Sequence, residues 1–480
     1  MSISVIFRFI VLIVLWLPIA HGQSPSVDYP AATNLGDPAQ LGRGIQRTMT
    51  LLQSSNAEHR NTVRILLYGQ SITAGKWGGK LGDFLSETYP HANLEFHRRP
   101  LSGFSTERLV KTSTADLYPF YADLVVFHDY GNNEDYETMI RQLREQTTAE
   151  VILQADHFRR SEQLIDESDP STIDDQRQRW AAQRNQQFLP GLAQKYGCGF
   201  DDRRRLWQAY LQQHQLSPGD LVNDDVHPNE HGTALMTELI KAYFVARPDS
   251  QIDPMNCGYV TTHPVTDAMR SADGKLVFPF DGNRIDLVLH DQASGTCQLM
   301  IDGKPPLDDP TMFYHQRNRV KWRDTPIPPG PWPAVLKMGF EKPLVEETWT
   351  LNATQDPDHP SVYSFRVQGS VTGPDGSGRS DEPFVSDSGR VVIAAEDWDV
   401  AFSIVALRRL DALPQSFQID WDAVAQAANQ ASPPDVPAGV ERVVTVAQRI
   451  ADQPHTLQIS GEIDGIQALR VYSPRKFPRP

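Results

Sequence analysis

Cysteine is scarce in this sequence, which has only three among its 480 residues, Cys198, Cys257 and Cys297. Three thiols allow at most one disulfide within the chain and leave one thiol over, and the sequence alone does not say which would pair. The small number excludes a scaffold that is held together by disulfides. The spacing of the three residues fits no zinc-binding motif.

Clusters of positive charge are also missing. The chain carries 45 Lys and Arg residues against 60 Asp and Glu, a formal net charge of −15, and it has no basic block. Proteins that bind nucleic acid present such a block, and an anionic membrane attracts one. The composition therefore argues against binding of nucleic acid or anionic lipid by bulk charge, and it allows a neutral substrate such as a sugar ester.

Only one run of apolar residues is long, and it lies near the N-terminus. Arg8 precedes the apolar residues 9–17, and the segment Ala20-His21-Gly22 follows them. This pattern predicts a signal peptide over residues 1–22 and hence a secreted or periplasmic protein, with no membrane contact after cleavage. An uncleaved anchor is the alternative, for which the run is short. Residues 23–60 are polar, and we predict an N-terminal lead-in there.

Residues 61–250 alternate short apolar runs with longer helical patterns. The predicted strands cover 63–68, 92–97, 124–128, 151–155 and 199–201, and the predicted helices cover 79–88, 105–111, 134–146, 175–196, 203–214 and 230–245. Repeated alternation of strand and helix is typical of a parallel sheet with helices on both faces. We therefore predict an α/β three-layer sandwich for this domain.

Residues 251–480 have a different character, because helical periodicity nearly disappears. The predicted strands cover 276–280, 284–290, 296–301, 348–351, 362–367, 390–395, 401–407, 443–447, 456–459 and 468–472. Clusters of Gly, Pro, Asp and Ser separate them, which favours a mostly antiparallel β-sandwich. A helical insertion is predicted over 420–429.

The segment Gly69-Gln70-Ser71-Ile72-Thr73-Ala74-Gly75 follows the first predicted strand directly. Gly69 permits a sharp exit from that strand, since it has no side chain to restrict its backbone. Ser71 then lies just past the C-terminal end of the strand, where open α/β sheets place their ligand crevice. Ser71 is therefore a candidate nucleophile, and an ordinary Gly/Ser turn is the alternative.

A nucleophilic serine needs a base, and the base needs an orienting group. The segment Asp224-Asp225-Val226-His227 offers both, because an Asp three residues before a His can reach the Nδ1 atom of the imidazole. The other ring nitrogen then faces outward toward a serine hydroxyl. Asp225 is the second choice for the carboxylate, and an Asp–His pair that caps the next helix is the alternative.

Acyl transfer also needs donors for the negative charge that develops on the carbonyl oxygen. Gly103 follows the second predicted strand, and Asn133 follows the third. The alternatives are a turn glycine at Gly103 and a helix N-cap at Asn133, ahead of a helix that begins at Glu134. All four segments follow a strand or precede the last helix, which predicts that they lie at one edge of the sheet.

Taken in order, the four segments resemble blocks of the SGNH hydrolases, also called the GDSL esterase/lipase family. The first is similar to G-D-S-[LI]-T-x-G, Gly103 matches the glycine of the second block, Gly131-Asn132-Asn133-Glu134 is similar to G-x-N-D, and Asp224-Asp225-Val226-His227 matches D-x-x-H. Gln70 and Glu134 stand where the family has aspartates, and Arg98-Arg99-Pro100 lies where the second block usually opens with an asparagine. These departures concern the hydrogen bonding around the site and hence the substrate.

The resemblance implies a flavodoxin-like fold over residues 61–250 and a Ser-His-Asp triad. Ser71 would be the nucleophile, His227 the general base and then acid, and Asp224 the orienting carboxylate. The oxyanion hole would be formed by the amides of Ser71 and Gly103 and the side chain of Asn133. No cofactor and no metal are expected.

The segment His227-Pro228-Asn229-Glu230-His231 also fits H-x-x-E-H, an inverted zinc-protease pattern. That pattern requires both histidines on one face of a helix. Pro228 disfavours helical geometry at the residue before it, and it is better placed as the first residue of a helix. A zinc site is therefore the less favoured alternative.

Segments of the second domain, 283–289 and 468–472, resemble jelly-roll strands that accompany catalytic domains in secreted carbohydrate esterases. Its candidate sugar-stacking residues, for which a place in the core is the alternative, are Trp322, Trp332, Trp349, Trp398 and Trp421, with Trp332 on the loop most open to solvent. We expect a secreted serine esterase that hydrolyses short-chain acyl esters, preferably acetyl, on carbohydrate. A lipid or lysophospholipid esterase, and a carbohydrate-binding protein with an inactive hydrolase domain, are the alternatives; the oligomeric state is left open.

Overall fold

The structure is a computed structural model that describes residues 29–250, 252–321 and 330–477. Residues 32–480 group into one compact unit, whose described part is presented below. The predicted signal peptide lies outside the described residues, and so does Trp322. Within the described ranges, no helix has both the length and the apolar character needed to span a bilayer.

Five parallel strands form the first sheet, in the order β2-β1-β3-β4-β5. The strands are β1 (Thr62–Gly69), β2 (Asn93–Pro100), β3 (Leu124–His128), β4 (Glu150–Gln154) and β5 (Gly199–Asp201), and the helices are α1 (Gln46–Ser54), α2 (Trp77–Thr88), α3 (Thr106–Asp116), α4 (Asn133–Gln146), α5 (Gln176–Gln183), α6 (Leu189–Tyr196), α7 (Arg203–Gln213) and α8 (Glu230–Tyr243). A single π-helical turn, Arg184–Phe188, joins α5 to α6.

Alternate residues of β1 enter two different cores. Ile65 and Leu67 pack with residues of α1, α2, α7 and α8, whereas Leu66 and Tyr68 pack with residues of α3, α4 and α6. This is the burial expected of a central parallel strand that is covered on both faces. It confirms the predicted α/β three-layer sandwich with a parallel sheet.

Helix α1 lies in the stretch for which the sequence predicts only a polar lead-in. Its Met49, Leu51 and Leu52 are buried in the core beneath the sheet. The carboxylate of Glu150 accepts hydrogen bonds from the backbone N–H groups of Arg47 and Thr48, at 2.9 and 2.7 Å. The missing signal is a capping group that comes from about 100 residues away in sequence, where local patterns give no information.

The second half of the chain is built from antiparallel strands. They are β6 (Val260–Pro264), β7 (Leu276–Leu289), β8 (Cys297–Ile301), β9 (Phe313–His315), β10 (Arg319–Lys321), β11 (Glu347–Gln355), β12 (Tyr363–Gly369), β13 (Gly373–Arg379), β14 (Phe384–Val385), β15 (Val392–Ile393), β16 (Ser416–Ala425), β17 (Gln430–Ala431), β18 (Arg442–Gly461) and β19 (Ile466–Tyr472). One sheet has the order β17-β8-β18-β7-β19-β6, and the other β10-β16-β11-β12-β13 with β9 beside β16. Side chains of both share one core, which confirms the predicted β-sandwich.

Two predicted elements of this half have the wrong type. Residues 420–429 are predicted as a helical insertion, but 416–425 form strand β16, because Phe417, Ile419 and Trp421 alternate into the core. Residues 401–407 are predicted as a strand, but Val400–Ala406 form a π-helical turn. This turn belongs to a loop that packs against the α/β half. The Arg108 guanidinium lies 3.7 Å from the centre of the Phe402 ring.

Two of the candidate sugar-stacking tryptophans lie in the core, and the three cysteines form no disulfide. Trp349 and Trp421 are fully buried and stack on each other, which places them in the core. Trp332 is half-buried, and its indole N–H donates to the Ser102 carbonyl at 2.7 Å. All three cysteines are within the described residues and are unpaired thiols.

Candidate active site

The turn that carries Ser71 depends on a glycine at the end of β1. Gly69 has φ +151°, and a Cβ atom there would collide with the backbone carbonyl oxygen of His128 on the neighbouring strand β3. Only glycine tolerates both the conformation and the close approach. The chain therefore turns sharply at the C-terminal edge of the sheet and leaves Ser71 half-buried there, ahead of helix α2.

Three of the predicted site residues meet at this edge in one hydrogen-bonded line. Ser71 Oγ lies 2.9 Å from His227 Nε2, and His227 Nδ1 lies 2.8 Å from Asp224 Oδ2. A carboxylate only accepts hydrogen bonds, so Nδ1 carries the proton and Nε2 can accept the Ser71 hydroxyl. The imidazole and the carboxylate are open to solvent, with 46% and 59% of their side-chain surface exposed.

The D-x-x-H spacing lets one carboxylate hold both backbone and side chain. Asp224 Oδ1 accepts from the backbone N–H groups of His227 and Val226 at 2.7 and 2.8 Å, while Oδ2 accepts from the imidazole. These hydrogen bonds hold the pKa of Asp224 well below its usual range, chiefly through the His227 backbone N–H. The carboxylate therefore stays ionised at neutral pH.

Asp225, the second choice for the carboxylate that orients His227, has a different partner. Its carboxylate accepts from the backbone N–H of Ser161 at 2.9 Å. The loop that carries His227 is also fixed by His157, whose Nε2–H donates to the Val226 carbonyl at 2.6 Å. Burial lowers the pKa of His157 to about 3, so this donor remains neutral. His157 and Ser161 come from the loop after β4, and no local pattern links them to the D-x-x-H segment.

Gly103 lies in the loop after β2, with φ +84°. Its carbonyl accepts from the Tyr130 hydroxyl at 3.3 Å, which joins this loop to the one after β3. A Cβ atom at Gly103 would collide with the side chain of Leu407, so the loop is closely packed from the β-sandwich half. Within the described residues, the backbone N–H of Gly103 donates no hydrogen bond.

Asn133 is the first residue of helix α4, and its neighbour Asn132 is the N-cap. Asn132 Oδ1 accepts from the backbone N–H groups of Glu134 and Asp135, so the capping role considered for Asn133 belongs to the preceding residue. The Asn133 Oδ1 atom accepts from the Arg184 guanidinium. This contact sets the orientation of the amide and leaves its NH2 group as the donor available to a ligand.

Neither Gly103 nor Asn133 hydrogen-bonds directly to Ser71 in the part of the chain that the structure describes. Gly103 lies in the loop after β2, and Asn133 begins helix α4 after the loop that follows β3; both strands are neighbours of β1, so both residues lie at the same sheet edge. The structure thus joins Ser71, His227 and Asp224 by direct contacts and places the two oxyanion candidates in the adjoining segments.

The zinc-protease pattern does not assemble. Helix α8 begins at Glu230, so His227 lies outside it. His227 uses its ring nitrogens toward Asp224 and Ser71, whereas His231 Nε2 lies 2.7 Å from the Tyr210 hydroxyl. Across the described ranges, no group of three or more His, Cys, Asp or Glu side chains has the arrangement of a metal site.

Comparison with known proteins gives structural neighbours only. No family model matches the chain, and no curated protein matches it. Several of the structural neighbours are esterases. They include a two-domain esterase active on acetylated mannans (12% identity, TM-score 0.33, covering 90% of this chain and 96% of that one) and an acetylxylan esterase from Geobacillus stearothermophilus (18%, TM-score 0.32, covering 40% and 100%).

A third neighbour is assigned as a GDSL-like lipase, from Parabacteroides merdae, with 17% identity and a TM-score of 0.32 over 39% of this chain and 98% of that one. This is the family that the four sequence motifs resemble. Identities below 20% and TM-scores near 0.3 carry no argument of their own.

Two side chains near the site have no signal in the sequence motifs. Arg184, in the π-helical turn, is buried and reaches Asn133. Trp180, one turn earlier on α5, is 37% exposed, and the Arg184 guanidinium lies 5.3 Å from the centre of its ring. Trp180 is the one large aromatic side chain with this degree of exposure in the described part of the chain.

Proposed function

We propose that this protein is a secreted serine esterase of the SGNH kind that removes short acyl groups, preferably acetyl, from carbohydrate. The observation that carries the esterase assignment is the line Ser71 Oγ to His227 Nε2 to Asp224, with distances of 2.9 and 2.8 Å. Hydrogen-bonded contact from nucleophile to base to orienting carboxylate is the arrangement that activates a serine hydroxyl.

In the proposed reaction the Ser71 hydroxyl transfers its proton to His227 Nε2 while Oγ attacks the ester carbonyl carbon. The negative charge that forms on the carbonyl oxygen is stabilised by the N–H groups of Ser71 and Gly103 and by the NH2 group of Asn133. Collapse of this intermediate breaks the ester bond, and His227 returns the proton to the departing alcohol. Water, deprotonated by His227, then releases the acid and restores Ser71.

Two observations support a carbohydrate substrate. The triad is open to solvent, which suits a large polar substrate better than a lipid that must leave water entirely. Helix α5 carries Arg177 and Trp180, and Arg184 begins the π-helical turn that follows it; spacings of three and four residues place the three along one side. Arg184 at one end binds Asn133, and an exposed indole beside an acyl-transfer site is a flat surface on which a sugar ring stacks.

The loop after β4 connects the loop of His227 with helix α5. Hydrogen bonds from Ser161 lower the pKa of Asp225, and the positive charges of Arg159 and Arg177 lower it further. Helix α5 is held to the same loop after β4 by Gln178, whose side chain accepts from the Gln163 N–H at 3.1 Å and donates to the Gln163 carbonyl at 2.7 Å. The helix that carries Trp180 thus lies between the loop that supports His227 and the Arg184 contact to Asn133.

The esterase assignment is tested with a chain-length series of p-nitrophenyl esters. We expect the highest kcat/KM for acetate and a loss of activity in Ser71→Ala with unchanged thermal stability. A preference for long acyl chains would replace the proposal by a lipid esterase. Absence of turnover on any ester by the wild-type protein would favour a binding protein with an inactive hydrolase domain.

The substrate class is tested at Trp180. Trp180→Ala should raise KM about tenfold for an acetylated oligosaccharide, since one stacked ring is worth about 1–1.5 kcal/mol. It should leave kcat/KM for p-nitrophenyl acetate unchanged, because that substrate has no sugar. Trp180→Phe is the matched control that keeps an aromatic face and most of the affinity. Equal KM values for all three proteins on the oligosaccharide would refute a stacking role.

A further inference from the structure

The Ser71 hydroxyl has a second partner besides His227. Ser71 Oγ lies 2.8 Å from Gln70 Oε1, almost the same distance as from His227 Nε2. A serine hydroxyl has one hydrogen and two acceptor sites. It can therefore donate to only one of these neighbours at a time, and it can accept from His227 when the imidazole carries a proton on Nε2.

The orientation of the Gln70 amide follows from its other contacts. Oε1 also accepts from the backbone N–H of Ile72 at 2.9 Å, which identifies it as the oxygen. The NH2 group then donates to His128 Nδ1, which lies 3.0 Å away. His128 must consequently be unprotonated at Nδ1 and protonated at Nε2, and that N–H donates to Asp156 Oδ1 at 2.8 Å.

These groups are sealed behind the nucleophile. Gln70 is 2% exposed and His128 is 1% exposed. Burial lowers the pKa of His128, and the nearby charge of Arg203 adds to this, so the imidazole is neutral as the hydrogen bonds require. Asp156 is held in turn, because its backbone N–H donates to Asn185 Oδ1 at 2.7 Å.

We propose that His128 and Asp156 are positioning residues that act on Ser71 through Gln70. The buried pair fixes the amide so that its oxygen always faces Ser71. When His227 is neutral, the hydroxyl donates to it and is ready to react; when His227 is protonated, the hydroxyl donates to Gln70 and accepts from His227. Ser71 Oγ thereby keeps one position through both protonation states of the base.

This inference rests on the proposed function, and it gives the glutamine at position 70 a role. A glutamine amide can flip, and a flipped amide would point its NH2 group at the Ile72 N–H and at Ser71, so the serine hydroxyl would lose its second acceptor. The hydrogen bond to His128 Nδ1 prevents the flip.

The test compares two variants of His128, each of which keeps the hydrogen bond of one ring nitrogen. In His128→Asn the side-chain oxygen can replace Nδ1 and accept from Gln70, while in His128→Gln the terminal amide can replace Nε2 and donate to Asp156. We expect His128→Gln to lose kcat for p-nitrophenyl acetate about ten- to a hundredfold, the cost of a small misplacement of a reacting group. His128→Asn should keep a clearly larger share of kcat, with KM unchanged in both.

A second comparison separates positioning from a purely structural role. Gln70→Met removes the link while keeping the volume, so adding His128→Gln to it should reduce kcat no further if both act through one chain of contacts. The inference would be overturned if the kcat losses of the two single variants multiply in the double variant. It would also be overturned if kcat falls in step with the melting temperature of the variants, whether or not the contact to Gln70 is kept.

The rate at which an organophosphonate labels Ser71 gives a readout that does not depend on turnover. Labelling should slow in His128→Gln relative to His128→Asn. A wild-type protein that neither turns over esters nor reacts with the phosphonate would refute the proposed function and this inference together. An active, labelled wild type with an equally fast His128→Gln variant would refute the inference alone.

Discussion

Replacement of Asp224 by Asn should damage catalysis more than its removal. In the wild type, Asp224 Oδ1 accepts from the backbone N–H groups of Val226 and His227, and Oδ2 accepts from the imidazole. An asparagine will place its single oxygen where the two backbone donors are. Its NH2 group then faces His227 Nδ1 and donates to it, which leaves the imidazole proton on Nε2.

With that tautomer, His227 points an N–H at Ser71 and cannot accept the hydroxyl proton. A wrong tautomer in a triad lowers kcat by about 10⁴, or about 5 kcal/mol in the activation barrier. Asp224→Ala removes the orienting group but leaves Nδ1 exposed to water, so the productive tautomer remains populated. We therefore expect Asp224→Asn to have at least tenfold lower kcat than Asp224→Ala.

The assay is steady-state hydrolysis of p-nitrophenyl acetate, with urea unfolding as a control. Stability should run in the opposite order, because Asp224→Asn keeps the acceptor for the two backbone N–H groups, each hydrogen bond being worth about 1 kcal/mol. A less stable but more active alanine variant would be hard to explain without the tautomer argument. If kcat of Asp224→Asn equals or exceeds that of Asp224→Ala, the assigned roles of Nδ1 and Nε2 are wrong.

Three further changes have outcomes that follow from single contacts. Gly69→Ala should destabilise the fold by about 3 kcal/mol or more, since its Cβ would meet the His128 carbonyl oxygen at φ +151°, and an unchanged melting temperature would contradict this. Arg184→Met should lower kcat about tenfold without changing KM, because Asn133 loses the partner that orients its amide; equal kcat at equal stability would count against it. Burial lowers the pKa of His315 to about 4, so the unfolded state gains the proton first as pH falls below about 6.5. The free energy of unfolding should therefore drop by about 2 kcal/mol between pH 7 and pH 5. Urea unfolding of His315→Gln should show a shallower decline, and an identical decline would exclude His315 as its source.

The α/β half was predictable because its signals are local. Strands such as Leu124–His128 are short buried runs, and helices such as Glu230–Tyr243 begin after an Asn that caps them. Helix α1 was missed because its N-terminus is capped by Glu150 from a distant strand. The sequence predicts a strand where the π-helical turn Val400–Ala406 forms, because the aliphatic run there has the composition of a strand.

The residues of the site likewise include some that local patterns identify and some that they do not. The D-x-x-H segment could be identified because one carboxylate serves a backbone and a side chain only three residues away. Arg184 is 51 residues from Asn133, and His128 is 58 residues from Gln70, so no spacing rule links them. The residues predicted from sequence belong to short local motifs, whereas supporting partners such as Arg184 and His128 are brought to them by the fold and carry no local pattern.

The strand order also explains why the β-sandwich half takes part in the site. The loop after β2 lies at the outer side of the sheet, and Gly103 in that loop is packed against Leu407. The Trp332 indole donates to the Ser102 carbonyl, and Arg108 pairs with Asp399 at 3.0 Å. An edge-strand loop has no neighbouring strand beyond it to fix its conformation. The β-sandwich supplies that support, so the position of the proposed Gly103 donor depends on contacts from the second half of the chain.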